Sequence, residues 1–205
     1  NTAVGSSALG ANTTGTSNVA VGYDALRVST TESNNTAVGY RAVEENTGGY
    51  SNTGLGSEAL RENTTGLKNT AVGAGALFAN TTGHNNVAVG RNALDAATGA
   101  NNNTAIGTES MTANTTGTHN AALGYATMES NTTGDNNTAV GSVALNANTT
   151  GTMNTAVGSH ALDVNTTASY GTAVGANALG ANTTGTENTA VGSDALKANT
   201  TAGYN

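Results

Sequence analysis

The chain has 205 residues, 28 of them Gly and none of them Pro, Cys or Trp, and a net charge of −7. Only 9% of residues are charged, against about 25% in ordinary domains, and large apolar residues are scarce, which leaves little for a conventional core and yet lacks the high net charge of a disordered chain. Zero cysteine excludes disulfides and thiolate metal sites, no apolar run approaches the roughly 20 residues of a membrane span, and an acidic balance without basic clusters argues against nucleic acid.

From Asn1 onward the sequence repeats one phrase, NTAVGSSALGANTTGTS. Phrases start at 1, 18, 35, 52, 69, 86, 103, 120, 137, 154, 171 and 188, with no insertion between them, and Asn205 opens another. Such strict internal spacing is the signature of a repeat architecture, so residues 1–205 read as a single repeat domain. With no initiator Met and no signal-peptide pattern, the chain reads as a mature product or an excerpt.

Each of the 17 positions of the phrase forms a column across its copies. Column 5 is always Gly (Gly5, Gly22, Gly39 and onward) and column 13 always Thr (Thr13, Thr30, Thr47 and onward). Column 4 is always aliphatic, column 9 is Leu, Val or Met, and columns 3 and 8 are nearly always Ala. Column 1 is Asn except at Gly171 (Asn1, Asn18, Asn35 and onward); column 12 is Asn except at Ser29 and Ala97 (Asn12 is the first). Every Asp, Glu, Lys and Arg falls in columns 6, 7, 10, 11 or 15–17. Columns 1–5, 8, 9 and 12–14 never carry charge, which is the pattern of burial. Tyr, His and Phe78 keep to the permissive columns and read as solvent-facing.

Taken along one phrase, the elements are short. The TAV segment predicts a strand, and Gly in column 5 a turn with positive φ. A second short strand is expected over columns 8–10, and NTTG supplies turn chemistry. A helix is disfavoured by the recurrent Gly and Thr. Each phrase then makes one coil of an all-β parallel β-solenoid with coils about 4.8 Å apart, twelve coils spanning roughly 55–60 Å. Columns 1 and 12 become Asn ladders, column 13 a Thr ladder, and column 4 Val with column 9 Leu a small core. So little apolar area per coil favours oligomerisation, with one apolar row inside the coil and another between chains.

The phrase N-T-A-V-G-x-x-A-L-x-x-N-T-T-G, carried by Asn1-Thr2-Ala3-Val4-Gly5 and its copies, resembles the head repeats of YadA-like trimeric autotransporter adhesins. Similar phrases occur in phage and bacterial tail-fibre proteins that end in a self-cleaving chaperone domain. The resemblance implies a left-handed parallel β-roll, with three chains packed side by side as a homotrimer. The phrase here is longer than the 14–15 residues usual in adhesin heads, and no neck, stalk, anchor or chaperone segment accompanies it.

No catalytic constellation emerges. His84, His119 and His160 occupy different columns, Glu44 and Glu45 adjoin within permissive columns, and no Gly-rich segment carries the Lys of a phosphate loop. No enzyme, cofactor or metal site is expected, and N-x-T triplets at buried ladder positions imply little glycosylation. The expected function is a structural extracellular or cell-surface fibre shaft. Its partner is itself, as a homo-oligomer and end to end as a filament. A host-surface or matrix ligand would contact the column 6 residues Tyr23, Tyr40 and Tyr125. Two alternatives stand beside it: an ice- or lattice-binding solenoid using the column 13 Thr ladder, and the shaft of a phage tail fibre.

Overall fold

The computed structural model describes all 205 residues, as a parallel β-solenoid of twelve three-residue strands with no helix. No segment is therefore a helix long and apolar enough to cross a membrane. Contacts divide the chain into two compact units, Asn1–Asn102 and Asn103–Asn205. The first holds β1 (Thr2–Val4), β2 (Val19–Val21), β3 (Thr36–Val38), β4 (Thr53–Leu55), β5 (Thr70–Val72) and β6 (Val87–Val89). The second holds β7 (Thr104–Ile106), β8 (Ala121–Leu123), β9 (Thr138–Val140), β10 (Thr155–Val157), β11 (Thr172–Val174) and β12 (Thr189–Val191).

Within each unit, neighbouring strands pair in parallel and in register. Thr36 faces Thr53 and Val38 faces Leu55, as Thr155 faces Thr172 and Val157 faces Val174. Each residue therefore lies beside its counterpart 17 positions on, and every column becomes a row across the coils.

Strand alternation decides which rows are buried. The column 3 side chains point inward, so Ala37, Ala71, Ala105 and Ala156 are fully buried. Columns 2 and 4 point outward. The column 4 aliphatics, expected in the core, are instead half-buried or exposed, including Val38, Leu55, Ile106 and Leu123. In a three-residue strand centred on buried Ala, both flanking residues must face the other side. The core belongs to Ala in columns 3 and 8 and to Leu or Met in column 9.

The second expected strand does not form. Columns 6–11 are a run of turns in which columns 7 and 9 adopt left-handed backbone conformations. Leu26, Leu60, Leu145 and Leu179 have φ of 50°, 54°, 53° and 51° and are buried. A left-handed residue other than Gly costs about 1–2 kcal/mol, and burying a Leu side chain contributes about 1.5–3 kcal/mol. Burial is of the right size to hold the strained backbone. It also explains why Leu, with no branch at Cβ, dominates this column. Gly5 has φ of 130°, and a Cβ there would fall 2.5 Å from the Gly22 carbonyl oxygen in the next coil. Column 5 is glycine for both reasons.

Candidate interface: ladders inside, a threonine–aliphatic face outside

The interior polar groups are asparagines, and they link the coils. In column 1, the backbone N–H of Asn35 donates to Asn18 Oδ1 at 2.9 Å, and that of Asn52 donates to Asn35 Oδ1 at 2.9 Å. Asn1 takes the same role for Asn18 at the first coil. The amide Nδ2 then crosses the coil to a column 15 carbonyl, as Asn52 does to Gly66 O at 2.8 Å. Column 12 reaches the same carbonyl from the other side, Asn63 Nδ2 lying 3.1 Å from Gly66 O. It also bonds amide to amide along the row, Asn63 to Asn46 at 2.9 Å and Asn80 to Asn63 at 2.8 Å. Asn35, Asn46, Asn52 and Asn63 are fully buried, where an unmet donor or acceptor costs free energy, and the ladder meets them. At the first coil, Asn12 accepts from Asn1 Nδ2 at 3.1 Å.

Column 13 behaves differently. Thr13, Thr30 and Thr47 are exposed rather than buried, so the absence of charge there has another cause. The Thr13 hydroxyl donates to Thr30 O at 3.1 Å, Thr47 to Thr64 O at 3.5 Å, and Thr64 to Thr81 O at 2.8 Å. Gly22 and Gly39 repeat the Gly5 geometry, with φ of 137° and 141°.

In coil 2, two departures from the usual residues compensate each other. Coil 2 has Ser29 in place of Asn and Glu32 in place of Gly. The Glu32 carboxylate accepts from the Ser29 hydroxyl at 2.9 Å and from the Thr30 and Thr31 N–H groups at 2.7 and 3.0 Å. Burial pushes its carboxyl up, but these hydrogen bonds outweigh burial, and its pKa lies below the ordinary value of 4.5.

The permissive columns also hold a charge cluster around buried Glu44 that reading the sequence column by column overlooks. Column 7 runs Asp24, Arg41, Glu58 in successive coils, while column 10 runs Arg27, Glu44, Arg61. Glu44 is buried and lies between the arginines. Arg27 donates to its Oε1 at 2.8 Å, Arg61 to its Oε2 at 3.2 Å, and Arg41 Nε sits 3.6 Å away. Burial raises the Glu44 pKa, yet the Arg27 and Arg61 hydrogen bonds and the Arg41 charge carry it below 4.5 overall. The signal was present as sign alternation at a spacing of 17.

Of the three column 6 tyrosines, the structure brings two together. Tyr23 and Tyr40 stack with centroids 5.7 Å apart, and Arg41 caps the Tyr40 ring. Tyr125 lies in the other unit and is exposed. No three His, Cys, Asp or Glu side chains converge as a metal site requires.

The outer face of the strands in each unit is a repeated surface of half-buried and exposed side chains. Its rows are Thr in column 2 with an aliphatic residue in column 4. In the first unit the aliphatic row runs Val4, Val21, Val38, Leu55, Val72, Val89; in the second it runs Ile106, Leu123, Val140, Val157, Val174, Val191. No known protein family, curated protein or solved structure matches the chain.

Proposed function

We propose that the chain is a structural, non-enzymatic shaft segment of an extracellular, cell-surface or virion fibre, whose copies associate sideways as a homotrimer along the threonine–aliphatic face. The exposed column 4 row carries this reading. Contiguous exposed apolar surface commonly marks an interaction site. A row repeated in every coil is matched best by the same row on another copy, with identical spacing. An adhesive role, if present, belongs to exposed Tyr23, Tyr40 and Tyr125, toward a host-surface or matrix ligand. End-to-end continuation of the repeat would extend the shaft into a filament, and electron microscopy distinguishes filaments from discrete particles.

Sedimentation equilibrium of the full chain tests the assembly. The expected mass is three chains, falling to one in the triple variant Val38→Lys, Leu55→Lys, Val72→Lys with its circular dichroism unchanged. A wild-type monomer at high concentration would sink the trimer.

Ice or lattice binding through column 13 draws less support, because those hydroxyls already donate to carbonyls of the next coil. A measurable gap between melting and freezing points would revive it.

A further inference from the structure

N-x-Thr triplets fall into two structural classes. Those of column 12, such as Asn63-Thr64-Thr65, have their asparagine fully buried and its amide committed to the ladder. Modification there requires the coil to open. The triplet Asn34-Asn35-Thr36 is different. Asn34 is exposed in column 17, at a left-handed bend with φ of 63° just before β3. Asn35 is fully buried, whereas Asn34 is exposed and Thr36, at the start of β3, is half-buried. The elements of the acceptor motif are therefore accessible without unfolding.

A second feature lies beside it. Asn34 borders an open surface hollow of about 410 Å³, whose lining also includes Glu32, Thr47, Gly48 and Tyr50. The hollow adjoins Gly48, which stands in column 14 where most repeats carry Thr. Tyr50 is 44% exposed, offering an aromatic surface of the kind that packs on the apolar face of a sugar.

We propose that Asn34 is an N-glycosylation site of the folded protein, with the first pyranose ring seated in this hollow against Tyr50. The chemistry is transfer from a nucleotide-activated hexose by an asparagine glycosyltransferase. The Asn34 Nδ2–C1 bond forms and the C1–O bond to the diphosphate breaks. The electron pair leaves on the phosphate oxygen, and the amide proton passes to a base of the transferase. Thr36 stands in column 2 of the proposed association face, so modification precedes sideways assembly.

The test incubates the folded full chain, at a concentration where it sediments as a monomer, with UDP-glucose and a soluble asparagine glycosyltransferase, and maps hexose adducts by peptide mass spectrometry. A one-hexose adduct on Asn34, absent in Asn34→Gln, is expected, with the buried column 12 asparagines unmodified. Asn136-Asn137-Thr138 starts in the same column, with Asn136 and Thr138 exposed, and serves as the comparison. Gly48→Thr adds a side chain to the hollow's lining, so Asn34 labelling should fall while Asn136 labelling holds. An unmodified Asn34 in the native protein, when the urea-unfolded chain is modified there, overturns the site. Equal Asn34 labelling with and without Gly48→Thr overturns the seat in the hollow.

Discussion

At Ala97 the column 12 ladder is interrupted, and the cost is visible one coil away: Asn80 Oδ1 is buried without a hydrogen-bond partner. Elsewhere that oxygen accepts from the next asparagine of the row, as Asn63 Oδ1 does from Asn80. Ala100 in column 15 poses no obstacle, since Asn165 and Ala168 coexist in the same columns with the usual bond at 3.1 Å. Ala97→Asn should stabilise the chain by about 1 kcal/mol, read as a higher urea midpoint. A second pair is coupled by shape. Val43 is the one β-branched residue in column 9, and Gly54 the one glycine in column 3. A Cβ on Gly54 would fall 2.7 Å from Val43 Cγ2. Gly54→Ala alone should therefore destabilise by about 1–3 kcal/mol through overpacking. Val43→Leu with Gly54→Ala restores the usual pairing, so a double-mutant cycle should show coupling of about 1–3 kcal/mol. Additive effects would refute it.

At the scale of the coil, the charge checkerboard of coils 2–4 sets a pH dependence. Glu44 and Glu32 both have folded pKa values below 4.5. Their contribution is fully present above 4.5 and is lost as pH falls from there through the lower folded values. Asp163 in the second unit has the opposite sign: burial raises its pKa above 3.8. It weakens folding at neutral pH, and that penalty is relieved as pH falls through its raised value. Glu44→Gln should lower the urea midpoint at neutral pH, because three arginines lose their common partner. It should also flatten the decline between neutral pH and the region below 4.5. An unchanged pH profile would show that the cluster contributes nothing to folding.

For the whole molecule, the thin apolar content of each coil would make the proposed association a component of stability. If copies cover one another's column 4 rows, apparent stability must rise with protein concentration, by mass action. Thermal unfolding of the wild type should shift upward over a hundredfold concentration range. Val72→Lys, which places a charge on the face while leaving the interior untouched, should lose that dependence. A wild-type transition independent of concentration would count against assembly through this face.

The repeat period, the parallel stacking of columns and the need for glycine in column 5 were legible in the sequence alone. They follow from strict 17-residue spacing and from one residue type being retained across the twelve phrases, as at Gly5, Gly22 and Gly39. Burial of Asn in columns 1 and 12 was legible from their lack of charge. Lack of charge misled at column 13, where Thr is kept for a hydroxyl-to-carbonyl bond at the surface rather than for burial. The exposed face was only half legible: two apolar rows were evident, but not which one pointed outward. That was decided by the inward turn of Ala in column 3, since alternation then sends Thr and Val to the other side. The left-handed leucines, such as Leu26 and Leu60, had no local signal, because nothing in Leu itself favours positive φ. Only the packed interior makes that conformation worthwhile. Sequence fixed the period because every coil must superpose on the next; the tertiary structure chose inside from outside, because that choice depends on where each turn aims the chain.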